Sequence, residues 1–63
     1  MKFLELHLKE SNKKIAINPL CITAVIVKEE GTTRIFYSNI HQRDDVKEEY
    51  EVVLMRINDA LRS

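Results

Sequence analysis

The spacing of apolar residues changes once along this chain, from every second position to every third or fourth, and that change sets the order of its elements. Residues 3 to 9 alternate, with Leu4, Leu6 and Leu8 on one side and Phe3, Glu5, His7 and Lys9 on the other. A period of two marks a half-buried strand. Residues 14 to 17 repeat the pattern through Ile15 and Ile17, and the polar stretch Glu10, Ser11, Asn12, Lys13 lies between the two runs. This reads as a hairpin closed by a loop of about four residues. From Tyr50 onward the spacing is helical: Tyr50, Val53, Leu54, Ile57 and Leu61 fall within one stripe about 100° wide. Strands first and one helix last predict an α+β fold.

Asn18-Pro19 ends the second strand, because proline lacks an N–H and keeps the residue before it out of the helical region. After a short turn through Leu20 and Cys21, residues 22 to 28 are nearly continuously apolar and β-branched. That is the pattern of a strand covered on both faces. The only glycine, Gly31, sits where a positive-φ turn residue is needed, and residues 33 to 37 form the fourth strand. Residues 38 to 43 read as irregular. Asp44-Asp45-Val46-Lys47-Glu48 reads as a helix start, with an aspartate cap, a glutamate three residues on and acids at the positive end of the dipole. Residues 44 to 47 read alternatively as a short fifth strand. The expected architecture is a four- to five-stranded curved antiparallel sheet followed by one C-terminal helix packed on one face, with residues 1 to 63 as a single domain. The expected core is Leu4, Leu6, Leu8, Ile15, Ile17, Ile35, Tyr50, Val53, Leu54 and Ile57.

Ten Lys and Arg balance ten Asp and Glu, so the chain lacks the net positive charge usual for a nucleic-acid binder. The signs are segregated. Residues 2 to 28 carry five lysines against two glutamates, and residues 29 to 51 carry seven acids against Arg34, Arg43 and Lys47. Opposite signs on one small molecule can serve self-association. Cys21 is the single cysteine, which excludes an intrachain disulfide. With no basic neighbour to stabilise a thiolate, it is expected to be a small buried hydrophobe. Glu5 interrupts the N-terminus before an apolar segment can form, and the longest apolar-leaning run, residues 20 to 27, has eight residues. Neither a signal peptide nor a membrane span is expected, and the expected setting is cytoplasmic.

The sequence offers no catalytic constellation. His7 on a strand and His41 in a loop lack Cys, Asp or Glu at metal-ligand spacing, and His7 is expected to face solvent. Ser11 and Ser38 have no base in a recognised pattern. Asp44, Asp45, Glu48 and Glu49 lack the alternating ligands and central glycine of a calcium loop. One glycine cannot build a phosphate-cradling loop. No catalytic, cofactor-binding or metal-binding residue is therefore expected, and no cofactor. Phe36 and Tyr37 are adjacent on one strand, so one points in and one out, and the outward ring suits an interface.

The run Asn18-Pro19-Leu20-Cys21-Ile22-Thr23-Ala24-Val25 resembles the small flagellar and swarming-motility proteins of the FlbD type and their bacterial and phage relatives. Lys14-Ile15-Ala16-Ile17 before it, Thr32-Thr33-Arg34-Ile35 after it, and Asp45-Val46-Lys47-Glu48-Glu49-Tyr50-Glu51-Val52-Val53 entering the helix belong to the same pattern. The chain departs from it at residues 38 to 43. The resemblance implies no enzyme activity and assigns no site residues. Residues 22 to 54 also look like the opening half of LytTR-type DNA-binding domains, and the overall size is similar to carbon-storage-regulator RNA-binding proteins. The expected function is a non-enzymatic, homo-oligomeric interaction module whose interface draws on Phe3, Ala24, Ile26, Phe36, Val52 and Met55. The alternative is a nucleic-acid-binding regulator.

Overall fold

The computed structural model describes residues 1–38 and 41–63. The elements run β1 (Leu4–His7), β2 (Lys14–Ile17), a 3-10 turn (Pro19–Cys21), β3 (Ile22–Glu29), β4 (Thr32–Tyr37), β5 (Arg43–Val46) and α1 (Tyr50–Arg62). The α+β class with antiparallel strands and a C-terminal helix matches the expectation. The strands do not form one regular sheet. β1 and β2 pair as a hairpin, and β3, β4 and β5 form a separate three-stranded sheet. Among the described residues a single bridge, Leu8 to Val46, links the two. Beside it Lys9 N donates to Asp45 O at 2.8 Å and Lys47 N donates to His7 O at 3.0 Å.

Local chemistry explains the turns. In the β1–β2 loop Asn12 adopts φ 61°, and Leu8 N and Lys13 O close the hairpin at 2.9 Å. Asparagine tolerates the left-handed region because its short side chain bonds locally. Asn18 Oδ1 accepts from Leu20 N at 3.0 Å, capping the 3-10 turn that Pro19 opens. That turn buries Pro19 and leaves Leu20 and Cys21 exposed. Cys21 is thus not the buried hydrophobe its surroundings suggested, since a turn of three residues can aim only one side chain inward. Gly31 carries φ 77° at the β3–β4 turn, as expected.

The first three residues of the stretch read as a helix start, Asp44 to Val46, are strand. Residues 43 to 46 pair antiparallel with β4 from Thr33↔Val46 to Phe36↔Arg43. The helix begins at Tyr50, and its capping residue, Glu49, makes no side-chain cap bond. The fifth-strand alternative was the correct one, and the aspartate cap does not exist. Asn39 and Ile40, within the stretch expected to be irregular, lie outside the described residues.

The core is Leu4, Leu6, Ile17, Ile35, Val46, Val53 and Ala60, with Ile15, Ile22, Val25, Tyr37 and Ile57 packed against it. Val46 and Ala60 were not anticipated. Leu8, Tyr50 and Leu54 are half-buried and Leu61 is exposed. The helix is rotated from the expected stripe: Val53, Ile57 and Ala60, at spacings of four and three, face the core. Among the described residues no helix is long and apolar enough to cross a membrane.

Candidate interaction surface

The face of the three-stranded sheet that turns away from the core follows from its register. Ile35 is buried and pairs with Val25, so their neighbours Phe36 and Ala24, which also pair, point outward. The next outward row is Ile26, Arg34 and Asp45. A register shift between Ile22 and Ala24 makes Thr23 an extra residue. That bulge returns Ile22 to the core side, where it packs beside Val25. Simple alternation would have placed Ile22 outward with Ala24 and Ile26.

The outward face is half apolar and half ionic. Arg34 Nε and Nη2 donate to Asp45 Oδ1 and Oδ2 at 2.8 and 3.2 Å, and Lys28 Nζ reaches Oδ2 at 3.1 Å. Hydrogen bonding from Arg34 is the largest influence on the Asp45 carboxyl and, with Lys28, holds it down at about 2. The same bond raises the Arg34 guanidinium above its ordinary value. Asp45 therefore pairs with both cations in place and leaves one net positive charge among the three, and Arg43, opposite Phe36, is exposed.

The interface candidates do not form one patch. Ala24 and Phe36 are cross-strand partners with Ile26 two residues along, which makes a contiguous group. Phe3, 58% exposed, lies apart beside the end of α1, where it lines a shallow recess with Arg56, Asp59 and Ala60. Met55 is exposed on α1 and Val52 is half-buried there. Val27, 60% exposed on β3, is the largest apolar exposure of this strand and was not among the candidates. Its exposure could have been sensed from the length of the apolar run, which exceeds what one helix can cover.

On the core side of the molecule the sequence missed a polar cluster. Glu48, in the β5–α1 connection, accepts from His7 N at 2.9 Å through Oε1 and contacts His7 Nδ1 at 2.7 Å through Oε2. Arg56 Nη1 lies 3.5 Å from the same oxygen and donates to Glu5 O at 2.9 Å. Thr33 Oγ1 donates to Glu48 O at 2.8 Å. Burial pushes the Glu48 carboxyl up, yet the bonds from His7 together outweigh it and leave the carboxyl below its ordinary value. His7 is thus not simply solvent-facing, as expected, because Glu48 returns to it from 41 residues away. A second polar contact, Tyr37 Oη donating to Asp44 Oδ2 at 2.7 Å, joins β4 to β5 on the core side. Burial and that bond raise the phenol well above its usual range. These contacts tie elements together and present no nucleophile beside a base. Among the described residues, no three His, Cys, Asp or Glu side chains converge as they would around a metal ion.

No family model matches the chain, and neither a curated protein nor a solved structure matches it at a significant level.

Proposed function

We propose that this chain is a small, non-enzymatic, homo-oligomeric interaction module. The observation that carries the reading is the position of β3. Its apolar, β-branched residues belong in a covered strand, yet Ile26 and Val27 are 43% and 60% exposed and Ala24 is exposed beside them. Ala24 and Ile26, with Phe36 on the same outward face, supply the desolvation gain that self-association needs, at roughly 25 cal/mol per Å² of apolar surface removed from water, while Val27 adds apolar exposure on the other face beside Thr33. The likeness to FlbD-type proteins is compatible with such a role. Sedimentation equilibrium tests it: the apparent mass should rise with concentration through the micromolar range, and Phe36→Glu should hold the protein monomeric while leaving its circular dichroism unchanged. A wild-type protein that stays monomeric up to millimolar concentration defeats the reading.

A second reading, binding of single-stranded nucleic acid, draws on Phe36, Arg34 and Arg43 sharing the outward face. An aromatic ring flanked by guanidinium groups can stack a base. Asp45 already engages Arg34 and Lys28, which weakens this alternative. Retention on heparin at low salt would favour it, and flow-through would favour the interaction module.

A further inference from the structure

β3 closes one side of the three-stranded sheet, and among the described residues only β4 pairs with it. Over residues 23 to 27, among the described residues, no backbone or side-chain group bonds to its other edge. Open edges are aggregation templates, and natural sheets guard them with charges, prolines, bulges or covering elements. Guards stand at both ends of β3. Lys28, Glu29 and Glu30 with a register shift between Val27 and Glu29 protect one end. The Pro19–Cys21 turn and the Thr23 bulge protect the other. Residues 24 to 27 between them are Ala, Val, Ile and Val, with no charge, no proline and regular pairing to β4.

We infer that this unguarded window pairs antiparallel with the same window of a second copy, so that two three-stranded sheets continue as one six-stranded sheet. The inference rests on the self-association reading above and adds its geometry. Residues directly opposite in a continuous sheet share a face, so the numbers of each opposed pair must sum to an even value. The two-fold axis therefore passes beside Val25 or Ile26. With the axis beside Val25, Ala24 lies opposite Ile26 of the second copy, and Val25 faces its own equivalent. A small residue then meets a large one, and β-branched side chains pair across the joint.

Charge fixes the direction and argues for a second copy as the occupant. Antiparallel pairing sends the two Lys28-Glu29 pairs to opposite ends of the joint. Parallel pairing would set Lys28 against Lys28 and Glu29 against Glu29, which is destabilising. Two copies thus meet without like-charge contact in one orientation, and the window itself carries no charge for a charged peptide to match. The bulges end the ladder on both sides, and the other hairpin's free strand, β2, opens with the exposed Lys14. Pairing then closes at two copies and does not propagate as a fibre. So short a ladder buries less than about 1,200 Å², the size of weak and transient interfaces, so the dimer forms and parts with concentration.

Residue-resolved amide hydrogen exchange on the full chain tests this, with sedimentation run on the same samples. At about 1 mM, relative to about 20 µM, the alternate amides of residues 23 to 27 that point away from β4 should slow by about tenfold or more. A dimer whose β3 amides keep their dilute exchange rates overturns edge pairing and leaves self-association standing. A monomer at both concentrations overturns both. Ile26→Glu provides a second measurement, since Arg34 is already engaged by Asp45 and the two new carboxylates repel on one face beside the axis. If folded, this variant should be monomeric at about 1 mM, and a folded variant that still dimerises overturns the pairing. If it does not fold, the wild-type exchange rates decide.

Discussion

Replacing Glu48 by glutamine isolates the charge that joins the helix to the hairpin. The side chain is 10% exposed and accepts from both the backbone and the ring of His7, with Arg56 beside it. Glutamine keeps the shape but turns one oxygen into a donor, so one of the two His7 contacts must be lost or reversed. Losing a charge-assisted bond of this kind costs about 1.5–3 kcal/mol. A chain of this length has a total stability of about 3–9 kcal/mol, so the loss is a large fraction of the whole. In a domain this small it should lower Tm by about 10–20 °C. Thermal melts followed by circular dichroism at pH 7 read the difference directly. The pH dependence supplies a second check with a definite sign. The folded carboxyl sits below its ordinary value, so its contribution is complete above the unfolded value near about 4.3 and is lost as pH falls through the folded one. The gap between wild type and Glu48→Gln should therefore narrow below about pH 4. Asp45 titrates in acid too, but it does so in both proteins and cancels in the difference. A Tm gap below about 3 °C at pH 7, or a gap that does not shrink in acid, would show that the Glu48–His7 contact carries no stability.

Leu6 is fully buried and Leu54 is half-buried, so Leu6→Ala should cost about 2–5 kcal/mol and Leu54→Ala about half as much. Urea titrations compare them, and equal losses would mean that the helix is turned toward the stripe centred on Leu54. Asp45→Asn should cost about 1 kcal/mol at pH 7 by releasing Arg34 and Lys28, and the loss should shrink in high salt. Because the Asp45 carboxyl is held down at about 2, its contribution is present above the ordinary carboxylate value and disappears as pH falls toward 2. A variant indistinguishable from wild type at pH 7 and low salt would mean that this ion cluster is inert.

The first four strands were legible because alternation, Asn18-Pro19 and Gly31 each act within a few residues. β5 was ambiguous because its string serves two structures. Asp44 and Asp45 before Glu48 satisfy the chemistry of a helix cap, and the same residues alternate as a strand. Distant partners decide between the two. Asp44 meets Tyr37 on the core side while Asp45 meets Arg34 and Lys28 on the outward side, and Val46 is buried beyond them. Each acid finds a donor on its own face of the sheet, an arrangement a helix start could not provide. No local window contains those donors, so the strand could be entertained from sequence and not selected. The rotation of α1 has a similar origin. Leu54 and Leu61 are better hydrophobes than Ala60, yet the small side chain of Ala60 lets the helix end approach the residues ahead of β1, where Lys2 N donates to Ala60 O at 2.9 Å.

The surface was legible only as an excess. Counting faces, a strand apolar on both sides beside a single helix leaves surface uncovered, and the exposed Ala24 and Ile26 on the outward face agree with that count. Which residues are left over depends on Thr23. One bulged residue moves Ile22 to the core side and keeps Ala24 and Ile26 outward, a change that residue type does not announce because threonine suits a regular strand as well as a bulged one. The strand's place in the sheet was equally hidden. Edge strands are ordinarily guarded by charge, proline or a bulge, yet among the described residues β3 has one neighbour and an unbonded window of four uncharged residues. Local pattern and tertiary position conflict there, and such conflicts are expected where function holds a residue against its folding preference. A second β3 at that edge would remove the conflict without moving any element of the monomer, and for that reason the edge, rather than the scattered Phe3 and Met55, is the first place to look for the partner.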